Sequence, residues 1–291
     1  MDINAEQENK MNIILRRKKL GRTSTKEFSK FCNATPVRND LLAKKVKEPI
    51  KWLIRWGCTS VCEATHTINK AEAISLANNK AETRKILQKL NLPKRIVPNT
   101  WFNYASWEDS NYLGPVIVRP IQHAQGRSLY YLKTPAEIET FFMNVPHILI
   151  DEGYYISEYI EKEAEYRVFV IQGKVVWVAK KTPADPKAIA WNVAQGGKFE
   201  NVRWNDWPLR ACRIAIQACE ALGLDFGGVD IIQKGKEFLI LEVNSAPSQT
   251  SPYRQKCTGK AFDYIIKNNN QKLDTPEKVN SYTQFIHPGI L

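Results

Sequence analysis

Apolar and polar positions change period several times along this chain, and each change predicts an element. The runs "MNIILRR" and "PIKWLIRWG" are too short and too uniformly apolar for helices. They predict buried strands, the second ended by Gly57 as a turn former. Between them, "TSTKEFSKF" reads as a helix opened by a Thr or Ser cap. Strand, helix and strand in sequence predict a small α/β lobe. "NKAEAISLANNKAETRKILQKLNLP" is helical, broken near Asn78 and Asn79 and stopped before Pro93. From "GPVIVRPIQHAQGRSLYYL" the pattern becomes two strands joined by a glycine-bearing turn, as in a hairpin that covers a ligand. "TPAEIETFFMNV" has capping-box spacing, with Thr134 at the cap and Glu137 three residues on. The strands "YYISEYI" and "YRVFVIQGKVVWVAKK" come next, then a long loop, "TPADPKAIAWNVAQGGKFENVRWND", and a helix, "WPLRACRIAIQACEALGL". The strands "FGGVDIIQ" and "FLILEVN" close the series. Two strand-rich halves on either side of "YYISEYIE" predict two α+β lobes with a cleft between them.

Composition narrows the function. A net charge of +12 over 291 residues, with pI near 9.3, favours an acidic partner: a nucleotide, a nucleic acid or an acidic peptide. Lys and Arg are spread along the chain instead of gathered in one block, which weakens the nucleic-acid reading. Six cysteines in so long a chain are not a disulfide framework. Leu209, Cys212, Ile216 and Cys219 recur at helical spacing and belong to a core. Cys58 and Cys62 lie near His66 and can be drawn as a metal site, but the spacing is not that of a zinc knuckle and no second pair follows. No apolar run approaches the length of a membrane span and "MDINAEQENK" is polar, so the expectation is a protein of the reducing cytoplasm with no membrane segment.

The candidate chemistry lies at the ends of the last two strands. Glu242 and Asn244 alternate with Leu241 and Val243 and therefore share a face. If the two strands pair as a hairpin through "QKGK", Asp230 joins them. Two carboxylates and an amide form a hard, oxygen-only set, suited to magnesium bridged to phosphate and not to zinc. A solvated polar face is the alternative. Arg119 and Arg167 stand within apolar strands, where a charge needs an anionic partner, and phosphate would supply one. Lys80 opens a helix after "NN", Lys180 and Lys181 lie on the strand after Arg167, and Gly126 in "HAQGRS" allows close backbone approach.

"VIVRP…QGRS…YYISEYIE…EYRVFVIQGKVV…WNVAQGG…ALGLDFGGVDII…LEVNSAPS" resembles the ATP-grasp carboxylate-amine ligases, in particular the branch of ribosomal-protein glutamate ligases, over about residues 70 to 265. The resemblance implies an ATP-grasp fold, α+β with an α/β lobe in front. A leader (1–10) and a short N-terminal lobe (11–70) precede two lobes that clasp ATP (71–157 and 158–268), and a peripheral tail (269–291) ends the chain. It implies that Lys80 and Arg119 reach ATP phosphates, although the second position is more often lysine, and that the Gly126 loop covers them. Glu158, Tyr159 and Ile160 match the adenine hinge, with Glu161 near the ribose. Arg167, Asn192 and Lys180 fall in the catalytic set, Arg167 steadying the substrate carboxylate and acyl-phosphate. Asp230, Glu242 and Asn244 match ligands of two magnesium or manganese ions.

The implied reaction is attack of a carboxylate on the ATP γ-phosphate, giving an acyl-phosphate and ADP. Displacement of phosphate by an amine then forms an amide. Charge builds on oxygen in both steps, so metals and fixed cations carry the acceleration and no cysteine is needed. The carboxylate and amine substrates, either of them an amino acid or peptide, are not named by the sequence, and the acceptor can be a macromolecule drawn by the basic charge. The rival reading is a non-catalytic nucleotide- or nucleic-acid-binding protein that keeps the fold. Against it, a binding module has no need of Asp230, Glu242, Asn244 and Arg167 together.

Overall fold

The computed structural model describes residues 10–18, 21–121, 129–185, 188–189, 191 and 196–269. The first lobe is a parallel sheet of β1 (Met11–Arg16), β2 (Thr35–Arg38), β3 (Ile50–Trp56) and β4 (His66–Ile68), in the order β2-β1-β3-β4. Helices α1 (Arg22–Phe28) and α2 (Leu42–Lys45) connect its strands. Its central strands, β1 and β3, are largely buried on both faces, which accounts for their continuous apolar runs. Gly57 ends β3 at φ 63°, as the turn reading expected. The predicted Thr or Ser cap of α1 is not there. Gly21 caps it in the left-handed region without a side-chain bond, and Thr25 instead donates its hydroxyl hydrogen to the Gly21 carbonyl at 2.7 Å.

The next helical stretch divides as the Asn pair predicted, into α3 (Ala71–Asn78) and α4 (Lys80–Gln88), with the Asn79 side chain capping α4 by accepting from the Glu82 N–H. A four-stranded sheet comes next, ordered β5-β8-β6-β7 and built from β5 (Thr100–Trp101), β6 (Val116–Pro120), β7 (Tyr130–Leu132) and β8 (Tyr154–Glu158). Helices α5 (Tyr104–Glu108), α6 (Pro135–Met143) and α7 (His147–Glu152) accompany it. Half of the capping box of α6 forms: Thr134 accepts from the Glu137 N–H, while Glu137 reaches one residue past the cap and accepts from the Lys133 N–H. β6 and β7 pair as the predicted hairpin; the turn bearing Gly126 lies outside the described residues.

The last sheet has five antiparallel strands in the order β11-β10-β9-β12-β13: β9 (Ala164–Ile171), β10 (Lys174–Thr182), β11 (Lys198–Asn201), β12 (Phe226–Lys234) and β13 (Glu237–Asn244). Helix α8 (Leu209–Ala221) covers one face with Cys212 and Cys219 fully inside, as their spacing predicted. Helix α9 (Pro252–Lys267) covers half of the other, where Phe262 and Ala261 meet Phe226, Trp177 and Phe28 of the first lobe. Neither β11 nor α9 was expected. β11 is a half-exposed edge strand without clean alternation inside a loop-like stretch, whereas α9 is marked by Pro252 at its first turn and by Cys257, Ala261, Phe262, Ile265 and Ile266 at helical spacing.

Candidate active site

The face of the five-stranded sheet that α9 leaves open is polar because side chains alternate and its own charged residues fall on that side. Glu165, Arg167 and Phe169 share a face of β9, and their register partners on β10 are Lys181, Ala179 and Trp177. The apolar end of this face lies under α9; the charged end carries the site. Lys180 pairs with Tyr166, on the opposite face, and is exposed, so the structure does not bring it to Arg167. Its neighbour Lys181 is brought in instead, 5% exposed.

Asp230, Glu242 and Asn244 do come together. β12 and β13 pair with Asp230 opposite Glu242 and Gly228 opposite Asn244, and the bulge after Asp230 keeps the acids in step. The Asn244 amide donates to Glu242 at 2.8 Å. A Cβ at Gly228 would stand 2.7 Å from that of Pro247, so a glycine there is what lets the segment after Asn244 fold back over the strand ends. Among the described residues no three His, Cys, Asp or Glu side chains form a metal cluster, so a cation held by this trio takes further oxygens from a ligand.

Arg167 does not wait for phosphate. Its Nε and one terminal nitrogen donate to the two oxygens of Asp230 at 2.6 and 2.7 Å. Burial works against the guanidinium charge, and Asp230 more than offsets it, raising Arg167 above its ordinary range. Lys181 lies 3.8 Å from Asp230 and donates to Glu165, which also accepts from Lys162 at 2.5 Å. Burial alone would raise the Glu165 carboxyl, but Lys181 and Lys162 hold it below its ordinary value. Phe199 of β11 lies beneath the charges, its ring centre 4.7 Å from the Arg167 guanidinium and 5.2 Å from the Lys181 ammonium.

A second group of cations faces the trio. Lys80, first residue of α4, donates to the Val243 carbonyl at 3.1 Å and stands 4.0 Å from Glu242. Arg84, one turn on, is 3% exposed and donates to the Leu241 carbonyl at 2.7 Å; burial pushes it down to about 10. Among the described residues, one terminal nitrogen of Arg84 and the Nε of Arg119 are buried without a hydrogen-bond partner. Arg119 acts electrostatically on both Arg84 and Lys162, so these cations share one space. Orphaned guanidinium donors beside an oxygen-only acidic trio fit polyphosphate and a divalent cation.

The segment expected to form the hinge is the end of β8 and the three residues after it. Glu158 accepts from Arg95 at 2.5 Å and from the Asn99 N–H at 3.2 Å, and Arg95 also bonds Glu237, which ties the hinge to β13. The N–H groups of Glu158 and Tyr159 are used within the chain, donating to Asn99 and Pro115. Ile160 packs with Ile232, Leu239 and Leu241 into an apolar floor, Tyr159 lies against Tyr131, and Glu161 is exposed. Asn192 and Gly126 lie outside the described residues. The Cys58, Cys62 and His66 grouping carries no metal chemistry: Cys58 is buried beside Ser60, Cys62 donates to the Glu63 carbonyl, and His66 stacks on Trp52. Lys162, Glu165, Arg84 and Phe199 were not expected at the site, and Lys181 was named only beside Lys180. Glu165 was within reach of alternation from Arg167, and Arg84 of helical spacing from Lys80.

Fold and site define an ATP-grasp ligase, an enzyme that joins a carboxylate to an amine with ATP. Residues 70–265 match the RimK-like ATP-grasp domain, and the chain belongs to that family. It is 27% identical over 226 residues to a protein named probable alpha-L-glutamate ligase 2 from Hahella chejuensis, covering 73% of this chain and 71% of that one. D-alanine–D-alanine ligase from Bacillus anthracis superposes with a TM-score of 0.62 at 16% identity, over 88% of this chain and 96% of that one. The ATP-grasp ligase PsnB, solved with a phosphomimetic variant of its minimal precursor, Mg and ADP, also gives 0.62, at 10% identity, over 91% and 100%. ATP and Mg²⁺ are the ligands this fold handles. Among the described residues no helix is long and apolar enough to cross a membrane.

Proposed function

We propose that this ligase activates a carboxylate with ATP bound across the cleft and transfers the acyl group to the amine of an amino acid or a peptide. The observation that supports it best is the facing of two sets: the acidic trio Asp230, Glu242 and Asn244, and the cations Lys80, Arg84 and Arg119, the two arginines each with an unfilled donor. In this reading two Mg²⁺ or Mn²⁺ ions bound by the trio offset charge on the phosphates, and the chain's own cations do the rest. Lys80, Arg84 and Arg119 hold phosphate oxygens, and Gly126 belongs to the loop over them. Arg167 and Lys181, with Asn192, face the reacting carboxylate. Glu158, Tyr159, Ile160 and Glu161 form the hinge for the base, read by backbone groups beyond the Tyr159 N–H, because that N–H is already donated to Pro115.

Glutamate is the first amine to test, because the relatives are named as glutamate ligases. An acidic protein or peptide is the acceptor that suits a charge of +12. All six cysteines are free thiols, which suits a reducing cytoplasm. The test is ATP turnover with a panel of amino acids and acidic peptides, followed by mass spectrometry for a product heavier by one residue. ATP binding without turnover or product across the panel would favour a non-catalytic nucleotide-binding role.

A further inference from the structure

The carboxyl ends of the parallel strands in the first lobe carry an excess of positive charge that the ATP site does not use. Arg16 ends β1, Arg38 ends β2, and the two are register partners. Arg22 and Lys18 stand in the connection after β1. Arg16 feels the charges of Arg38, Arg22 and Asp40, and Asp40 feels those of Arg38 and Lys18. These four cations share the edge with one carboxylate, a net charge of 4 − 1 = +3, and Asp40 is taken by Arg38 through two hydrogen bonds of 2.9 and 2.7 Å. Arg16 is 9% exposed and, among the described residues, donates to the carbonyls of Arg17 and Lys18 and to no carboxylate. A guanidinium so buried with no acid bonded to it costs stability unless an anion arrives.

The position indicates which anion. Ligands of open parallel sheets bind at the carboxyl ends of the strands. This edge is seated on the segment that leaves the acidic trio: a Cβ at Gly57 would lie 2.7 Å from that of Ala246, and the Gln249 N–H donates to Ser24 at 2.9 Å. An anion here borders the ATP site without entering it. We infer that the Arg16, Lys18, Arg22 and Arg38 edge is a docking site for the acidic stretch of a peptide whose reacting group reaches the trio. Spaced cations along an edge match repeated carboxylates, and the absence of stacking aromatics among the four disfavours single-stranded nucleic acid.

This inference rests on the ligase reading for its purpose but can be tested without catalysis. Binding of a fluorescein-labelled hexaglutamate peptide to the full chain is followed by anisotropy, beside a hexaglutamine peptide and a single-stranded oligonucleotide. Hexaglutamate should bind, more weakly as salt is raised, and hexaglutamine should not. Lys18→Glu with Arg22→Glu, both exposed positions, should weaken hexaglutamate about tenfold or more while ATP affinity by calorimetry stays unchanged. Equal binding by variant and wild type, or equal binding of the two peptides, overturns the inference. So does an oligonucleotide that binds more tightly than hexaglutamate and is lost with the same variant. A chain that binds hexaglutamate as expected but neither binds nor turns over ATP contradicts the ligase reading and leaves the docking site standing.

Discussion

Arg254, in the first turn of α9, shows how buried charge separates stability from use. It is 3% exposed, donates to the Asn201 side chain at 3.2 Å, and lies 5.5 Å from the Trp177 ring centre and 5.6 Å from that of Phe199. Burial first, and Arg167 second, push it down from its ordinary value to about 10. The folded state thus binds fewer protons there than the unfolded chain between those values, so stability rises with pH across that window, and at neutral pH the charge is a cost. Arg254→Met should leave the melting temperature unchanged or raise it, as read by calorimetry. A fall of about 4 °C or more, the mark of roughly 1–2 kcal/mol in a chain of this size, would contradict this. Glu165 runs the other way. Its lowered carboxyl pKa stabilises the fold above the ordinary glutamate range, and that contribution is lost as pH falls through the lowered value. Urea midpoints should therefore drop between about pH 5 and about pH 3 more steeply in wild type than in Glu165→Gln; parallel curves would refute it. Lys80→Ala should weaken ATP binding by about 1.5–3 kcal/mol in calorimetry, whereas unchanged affinity would remove Lys80 from the phosphate site.

At the scale of elements, α9 fastens the first lobe to the sheet that carries the site. A Cβ on Gly259 would fall 2.3 Å from the Phe28 carbonyl oxygen and 2.7 Å from the Phe31 Cβ, so helix and lobe touch through a bare backbone. Gly259→Ala must push them apart and should cost about 1–3 kcal/mol in chemical unfolding; a stability equal to wild type would mean the contact yields freely. The helix declares itself in the sequence through Pro252 and its apolar spacing, but its seat on the first lobe does not. β1, β3, the α3–α4 break, the α6 cap and the β12–β13 hairpin each announce themselves locally, through apolar runs, turn residues or capping spacing. β11 owes its pairing to β10 and has no pattern of its own. Glu242 and Asn244 were legible from alternation, whereas Asp230 comes opposite Glu242 only through the bulge that follows it. Alternation from Arg167 separates Lys181 from Lys180 only once the β9–β10 register, shifted at its bulge, is known. The bond from Arg167 to Asp230 crosses strands 63 residues apart and depends on tertiary pairing.

For the whole molecule, the proposal is that oxygen ligands and fixed cations carry the chemistry without a thiol: the cysteines are free and, Cys62 apart, buried. Burial pushes Cys212 and Cys219 up to about 12, the opposite of an activated nucleophile. The central claim is phosphoryl transfer to a carboxylate followed by amide formation. It is tested most directly by ³¹P NMR of the turnover mixture, with Mg²⁺ present and withheld, for wild type and Glu242→Gln. The account predicts ADP and inorganic phosphate in equal amounts, formed only with the metal and nearly abolished in Glu242→Gln. AMP and pyrophosphate as the products, or near-normal turnover by Glu242→Gln, would contradict it.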